Sequence, residues 1–355
     1  MPYTILAVNP GSTSTKIGVF EGDTRLFSEG IEHSAEEIAR FPTIASQYEF
    51  REEKVRSLLA AKGFDLKRLS AVVGRGGLLK PIPGGVYRVD PAMKDDLASA
   101  RYGEHASNLG ALIADRLGAE LGIPAFIADP VVVDELCDVA RISGHKLFKR
   151  VSIFHALNQK AVARRWCREN GRAYEEANVI VAHMGGGVSV GLHEKGRVVD
   201  VNNALNGEGP FSPERSGTLP TLQLAKLCFS GEYSEKEVAK MIAGKGGLVS
   251  FMGSNDMRTA EKAFREGDPE GSLYYRAFIY QVGKAIGALA AAAKGRVDAI
   301  VLTGGIAYGA EVVRGLTEMC GFIAPVVAYP GEGELEALAQ AGVRVLSGEA
   351  VAQEY

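Results

Sequence analysis

The chain has 355 residues, of which 46% are apolar and 23% charged, with a formal net charge of −3. At about 100–200 residues per domain this length predicts two lobes, and the composition is that of a globular protein, not a disordered or fibrous one. The slight negative charge excludes a general electrostatic hold on nucleic acid or an anionic membrane surface, so any bound anion must be gripped by local groups.

The N-terminus, MPYTILAVNP, reads as a buried strand and has none of the basic, long apolar and cleavage segments of a secretory signal. Ile5 to Phe20 (ILAVNPGSTSTKIGVF) predicts a hairpin, with an apolar strand, a turn of Gly and small polar residues, and a second strand. Another apolar strand runs into a Gly-Gly turn at Ser70 to Leu79 (SAVVGRGGLL). A lobe boundary is expected near Lys149, before a helix that opens at Ile153 to His155 and runs through Arg164 to Trp166. Val179 to Leu192 (VIVAHMGGGVSVGL) repeats the hairpin pattern. Ser272 to Gly295 predicts a long helix with Leu273, Ala277, Tyr280, Val282, Ala285 and Leu289 on its apolar face. Asp298 to Ala307 (DAIVLTGGIA) again runs a strand into a Gly-Gly turn.

Hairpin, helix and strand, read twice, predict a diverged duplication. The expected α/β lobes are residues 1–149 and 150–334, the first completed by a C-terminal helix over 335–355. The longest apolar or Gly run on a helical stretch, Ala285 to Ala293, is nine residues, against the roughly 20 that a membrane span needs. Cys137, Cys167, Cys228 and Cys320 form no CxxC or Cys/His ligand spacing, so free thiols in a reducing cytoplasm are expected. Duplicated lobes enclose a cleft, and Gly-rich turns facing it suit phosphate, because backbone N–H groups without Cβ obstruction form an anion-binding nest. The chain contains no GxxxxGK[ST], no strand followed by GxGxxG with an acid about 20 residues on, and no protein-kinase motif set. A nucleotide here must be bound by another design.

VNPGSTSTK, with Asn9, Ser12, Ser14 and Lys16, resembles the opening phosphate-binding turn of the acetate kinase family. GRGG at Gly74 to Gly77, FIADP with Asp129, IFHALN around His155, AHMGGG at Ala182 to Gly187 and SPERSG around Arg215 resemble successive motifs of that family, in order. SNDMR at Ser254 to Arg258, LTGGIA at Leu302 to Ala307 and PGEGELEALA from Pro330 extend the resemblance over nearly the whole chain. It implies a duplicated actin-like (ribonuclease H-like), two-lobed ATPase fold with a central nucleotide cleft. It also implies ATP/ADP and Mg2+ as cofactors and assembly as a homodimer or higher homo-oligomer. Two departures stand out: the family's HLGNG reads HMGGG here, placing Gly186 where it has Asn, and its GIGEN reads GIAYG from Gly305 to Gly309.

A carboxylate acceptor, with a pKa of roughly 4–5, is ionised near neutrality and needs no general base, only help in approaching another anion. Arg75 and Arg215 can supply planar, permanently charged forks for it, and the resemblance places both beside the reacting groups. It makes His155 and His183 hydrogen-bond donors to phosphoryl oxygens, with His105 as a third candidate. Asp129 and Glu334 match the family's metal-associated acids, Glu332 being close enough to leave that choice open. Asn9, Ser12, Ser14 and Lys16 would position phosphates, and Gly185, Gly186 and Gly187 would donate backbone N–H groups to the nucleotide. Asp256, Met257 and Arg258 match the family's ribose and adenine stretch, with Gly304 and Gly305 lining the same pocket.

The acetate enzymes carry a bulky apolar residue two places after the clamp arginine, where this chain has Gly77; the vacated room beside Phe154 and Pro210 is expected to admit a longer acyl tail. Two further buried methylenes are worth about 1.6 kcal/mol, roughly fifteenfold, a graded preference. The expected reaction is therefore ATP-dependent, reversible, in-line phosphorylation of a short-chain fatty acid. Butyrate is the first expectation, with isobutyrate, propionate and acetate as alternatives. A sugar kinase of the same fold, or an Hsp70- or actin-like ATP-binding protein, is the alternative of another class. An alcohol acceptor requires a catalytic base, and Arg75 with Arg215 favour an anionic one.

Overall fold

TILAVNP (Thr4–Pro10) is buried at all seven positions, as expected of a strand covered on both sheet faces, and it forms the centre of the first of two mixed sheets. In the computed structural model, which describes residues 2–355, this strand β1 is followed by β2 (Ser14–Glu21) and β3 (Thr24–Glu32) in an antiparallel meander. Helix α1 (Tyr48–Ala61) leads to β4 (Ala71–Arg75), which lies parallel to β1 with Ile5 opposite Ala71 and Val8 opposite Gly74. Strand β5 (Val86–Arg88), helices α2 (Pro91–Ala98) and α3 (Asn108–Leu121) and strand β6 (Ala125–Ala128) follow. The strand order is β3-β2-β1-β4-β6-β5. Gly74 and Gly110 let α3 lie directly on β4: a Cβ on Gly74 would stand 2.1 Å from the Gly110 carbonyl oxygen.

The second sheet repeats the plan. After α4 (Ala156–Glu169), strands β7 (Asn178–Met184), β8 (Val188–Glu194) and β9 (Arg197–Val201) form an antiparallel meander. Helices α5 (Met257–Glu266) and α6 (Pro269–Ala292) lead to β10 (Ala299–Gly304), then α7 (Ala310–Cys320) and β11 (Val326–Pro330). β10 pairs in parallel with both β7 and β11, giving β11-β10-β7-β8-β9. In both sheets a meander continues into two parallel strands, and the register slips at matching places, between Val19 and Phe20 in the first and between Leu192 and His193 in the second. The expected duplication is thus present in topology.

Three expectations need correction. The chain divides into a unit reaching Val133, joined by Gly333–Tyr355, and a unit of Asp134–Glu332, so the division falls before the expected Lys149. The returning helix, α8, spans Glu334–Leu346 and not 335–355; beyond it the chain bonds to β5 through Gln353, whose N–H donates to the Val86 carbonyl. The long helix α6 starts at Pro269, where Asp268 caps it by accepting from the Gly271 N–H, and it buries Tyr275, Phe278, Val282, Ile286 and Leu289. Leu273 and Tyr280, expected on that stripe, are 56% and 57% exposed. Leu273, Tyr274, Tyr275, Phe278, Ile279, Tyr280 and Val282 put large apolar side chains on every side of this half of the helix, so periodicity alone does not define its inner face.

Candidate active site

In the first unit the β1–β2 turn is built around a buried cation. Gly11 N–H donates to the Ser14 carbonyl at 2.7 Å. From α1, the fully buried Arg51 donates to the carbonyls of Gly11 (2.7 Å), Ser12 (3.1 Å) and Ser14 (3.1 Å) and to Thr15 Oγ1 (3.3 Å), while Gln47 Oε1 accepts from its Nε and Nη2. Burial lowers the Arg51 pKa. With its carbonyls drawn onto a guanidinium, the turn is left electropositive outward, which suits phosphate. Asn9 is buried and pairs in register with Lys16; Ser12 and Lys16 are exposed and Ser14 is half-buried. Arg51 had no sequence signal, since YEFREEKVR reads as a solvated charged helix.

Arg75, at the end of β4, and Glu334, the first residue of α8, form an ion pair with Nη1 2.9 Å from Oε1. Asn9 joins them, its Oδ1 accepting from Arg75 Nη1 at 3.3 Å and its Nδ2 donating to Glu334 Oε2. Glu334, not the exposed Glu332, is therefore the acid associated with Asn9 and Arg75. Asp129 is 2% exposed, with a positive φ of 37°, and its Oδ1 accepts from Gly85 N–H at 2.7 Å. No group of three or more His, Cys, Asp or Glu among the described residues is arranged to hold a metal alone. Mg2+ in nucleotide sites takes one or two carboxylates and completes its shell with phosphate and water, so Asp129 and Glu334 fit as donors. His105 is exposed overall, its Nδ1 accepts from Ser107 N–H at 3.2 Å, and partial desolvation of the ring together with the nearby Arg75 charge lowers its pKa.

Gly77 corrects the sequence reading. A Cβ there would meet Asn108 Oδ1 at 2.3 Å and its Cα at 2.6 Å, so the missing side chain is replaced by the start of α3 and not by open room. Asn108 is 3% exposed; its Oδ1 accepts from Leu78 N–H at 2.8 Å and its Nδ2 donates to the Gly103 carbonyl at 3.0 Å.

In the second unit His155 occupies the N-cap position of α4 without a side-chain capping bond and His183 lies in β7, their rings stacked at 3.8 Å with an interplanar angle of 9°. Arg215 comes to the same place, because a Cβ on Gly187 would stand 2.0 Å from Arg215 Nη1 and 3.3 Å from His155 Cε1. Arg215 Nη1 donates to the Ala204 carbonyl at 2.7 Å, and burial lowers the pKa of the guanidinium. Ser212 ties the two motifs together: its Oγ donates to the Gly186 carbonyl at 2.6 Å and accepts from Arg215 N–H at 3.1 Å. Phe154, 2% exposed, and Pro210 are buried in this unit. The sequence reading missed Ser212 and the polar residues behind the histidines, Asn158, Gln159 and Ser189.

A cavity of about 660 Å³, within the range usual for small-molecule sites, adjoins the glycine turn. Gly185, Gly186, Asp256, Met257, Arg258 and Gly305, residues expected from the sequence to contact the nucleotide, line it. Gly187 and Gly304 are not among its lining; Gly304, at φ 84°, packs on the Met184 carbonyl, where a Cβ would come within 2.3 Å. Asp256 caps α5 by accepting from Arg258 N–H at 2.9 Å and pairs with Arg258 Nη2 at 2.7 Å. Glu261, Tyr275 and Tyr308 also line the cavity, and the buried Tyr275 hydroxyl has no hydrogen-bond partner.

The family model described as the acetokinase family matches residues 143–323. The chain is 55% identical over all 355 residues, the whole of both chains, to a probable butyrate kinase of Clostridium botulinum (strain Alaska E43). It is 52% identical, again over the whole of both chains, to butyrate kinase 2 of Clostridium acetobutylicum. Among solved structures, Porphyromonas gingivalis acetate kinase superposes with a TM-score of 0.78 at 20% identity, covering 97% of this chain and 100% of that one.

Proposed function

Because the chain belongs to the acetokinase family, we propose that it phosphorylates the carboxylate of a short-chain fatty acid with ATP, and that butyrate is its preferred acceptor. The convergence of Arg215, Gly187 and the His155–His183 stack beside a nucleotide-sized cavity is the observation that carries this reading. The cavity takes the nucleotide, with Gly305 leaving open space and Asp256 with Arg258 at its edge. Arg215 and the two imidazoles meet the charge that spreads over the transferring phosphoryl oxygens. Arg75, steered by Glu334, serves the acceptor carboxylate, which attacks in line without a base.

Mg2+ supplies charge neutralisation on the phosphates, with Asp129 and Glu334 as its protein carboxylates. The electropositive turn over Arg51, with Asn9, Ser12, Ser14 and Lys16, holds phosphate oxygens. Preference for butyrate is supported by the names of the full-length relatives and not by room at Gly77. The free thiols, Cys228 exposed among them, support a reducing cytoplasm, and no helix of the described residues is long and apolar enough to cross a membrane. A homo-oligomer would cover exposed apolar side chains such as Leu147 and Phe148.

Hydroxylamine trapping of acyl phosphate from Mg-ATP across acetate, propionate, butyrate, isobutyrate and valerate, with glucose as control, tests the reading. Hydroxamate peaking at butyrate is expected. A peak at acetate would move the substrate assignment, and no hydroxamate with any acid would overturn the carboxylate kinase itself.

A further inference from the structure

The His155–His183 stack sits in front of buried polar side chains, Asn158, Gln159, Ser189 and His193, to which the sequence reading gave no role. We propose that the two imidazoles are held in opposite neutral tautomers by two hydrogen-bond chains, each anchored on a backbone carbonyl through a side-chain amide. Gln159, Ser189 and His193 are then positioning residues that keep His155 a neutral Nε2–H donor. This rests on the donor role given to His155 above.

The first chain starts at the Ser189 carbonyl, which can only accept. Gln159 Nε2 donates to it at 3.0 Å, so the amide cannot be flipped without setting two oxygens face to face. Gln159 Oε1 is therefore the acceptor for His193 Nε2 at 3.0 Å, which makes that nitrogen an N–H. His193 is fully buried and its pKa lies well below the ordinary imidazole value, through burial first and then the charges of Lys160 and Arg164. Its bare Nδ1 accepts from the Tyr174 hydroxyl at 2.7 Å. The second Gln159 Nε2 hydrogen goes to Ser189 Oγ at 2.7 Å. Ser189 is fully buried, so its own hydroxyl hydrogen needs an acceptor, and that acceptor is His155 Nδ1 at 2.9 Å. A bare Nδ1 on a neutral ring leaves the proton of His155 on Nε2.

The second chain runs in the opposite sense. Asn158, the neighbour of Gln159 on α4, donates Nδ2 to the Glu332 carbonyl. Its Oδ1 must then accept from His183 Nδ1 at 2.7 Å, so His183 carries its proton there and presents Nε2 bare when neutral. Protonating His155 at Nδ1 would strand the Ser189 hydroxyl hydrogen, whereas protonating His183 at Nε2 breaks neither chain. Of two rings 3.8 Å apart, one is thus a permanent neutral donor to a phosphoryl oxygen, and the other donates only as the imidazolium. Two imidazolium rings stacked this closely would repel.

The test uses the full chain labelled with 15N-histidine. Two-bond 1H–15N spectra separate protonated from bare ring nitrogens, and six histidines keep the spectrum assignable. His155 is expected with Nε2 protonated and Nδ1 bare, and His183 with the reverse. In Ser189→Ala, His155 becomes a mixture of tautomers while His183 keeps its pattern, and kcat falls about tenfold or more with the KM for ATP little changed. A wild-type His155 protonated on Nδ1, or a Ser189→Ala spectrum with the His155 tautomer unaltered, would overturn the proposal. Both readouts are independent of whether the wild type forms hydroxamate, so failure of the carboxylate-kinase reading is seen separately.

Discussion

Gly77→Ala separates two explanations of acyl-chain preference. If the glycine left room for an acyl tail, the added methyl would handicap butyrate against acetate, by up to the roughly fifteenfold that two methylenes are worth, and leave the fold alone. The structure argues otherwise. A Cβ at this position lies 2.3 Å from Asn108 Oδ1, 2.6 Å from its Cα and 2.8 Å from its N, so Asn108 or the β4 loop must shift. Overpacking of this kind costs about 1–3 kcal/mol. Disturbing the bond from Leu78 N–H to Asn108 Oδ1 in a buried place adds about 1–2 kcal/mol more. For a unit of this size, at roughly 2–4 °C per kcal/mol, the Tm falls by about 4–20 °C. Because Arg75 lies two residues away, its pairing with Glu334 loosens as well, and turnover falls for every acid. Thermal melts alongside the hydroxamate series give the readout: the expected result is a lower Tm with a butyrate-to-acetate ratio changed less than about twofold. An unaltered Tm with the preference displaced toward acetate would refute the packing argument and restore the acyl-room reading.

Arg75→Ala and Arg215→Ala are each expected to lower kcat by about 100-fold or more with circular dichroism unchanged; a near-normal rate removes that residue from the site. Arg51→Met strips the partner from three turn carbonyls, so urea denaturation is expected to show a loss of about 3 kcal/mol or more and the KM for ATP to rise, and no change in either quantity contradicts the anchored turn. His33 is buried beside Thr15, and burial first, then the Arg51 charge, pushes its pKa down to about 4 from 6.5. The unfolded chain therefore takes up this proton first, and stability is lost as pH falls from about 6.5 toward 4, by at most about 3 kcal/mol. His33→Gln is expected to flatten that part of the stability profile, and identical acid limbs in the two proteins would exclude His33 as its source.

What could be read from the sequence was whatever is written locally. The two meanders were legible because a strand, a glycine turn and a second strand are contiguous, as at Val179 to Leu192. The cavity-lining stretch Asp256–Arg258 was legible because a helix cap and its neighbours form one short motif. The errors arise where a side chain's meaning depends on what packs against it. Gly77 was read as absence of bulk, yet Asn108 fills that absence from a helix 31 residues away in the chain. Arg51 gave no signal because its partners are the carbonyls of a turn about 40 residues upstream, and a backbone carbonyl has no sequence signature.

Arg75 and Glu334 were identified separately, one for the acceptor and one for the metal, but they hold each other across 259 residues of sequence. An arginine paired only with an acidic partner would be neutralised as an anion clamp. Asn9 alters that balance, because it shares the carboxylate and so leaves Glu334 less exclusively committed to the guanidinium. Asn9 and Glu334 together would hold the Arg75 guanidinium in place for an acceptor carboxylate, and the same Glu334 carboxylate would be a donor to Mg2+. Replacing Glu334 with Gln tests this coupling: it weakens the hold on Arg75 and removes a metal donor at once. Mg2+ dependence and acceptor KM are therefore expected to worsen in the same variant, whereas an effect on only one of them would mean that the ion pair and the metal site act independently.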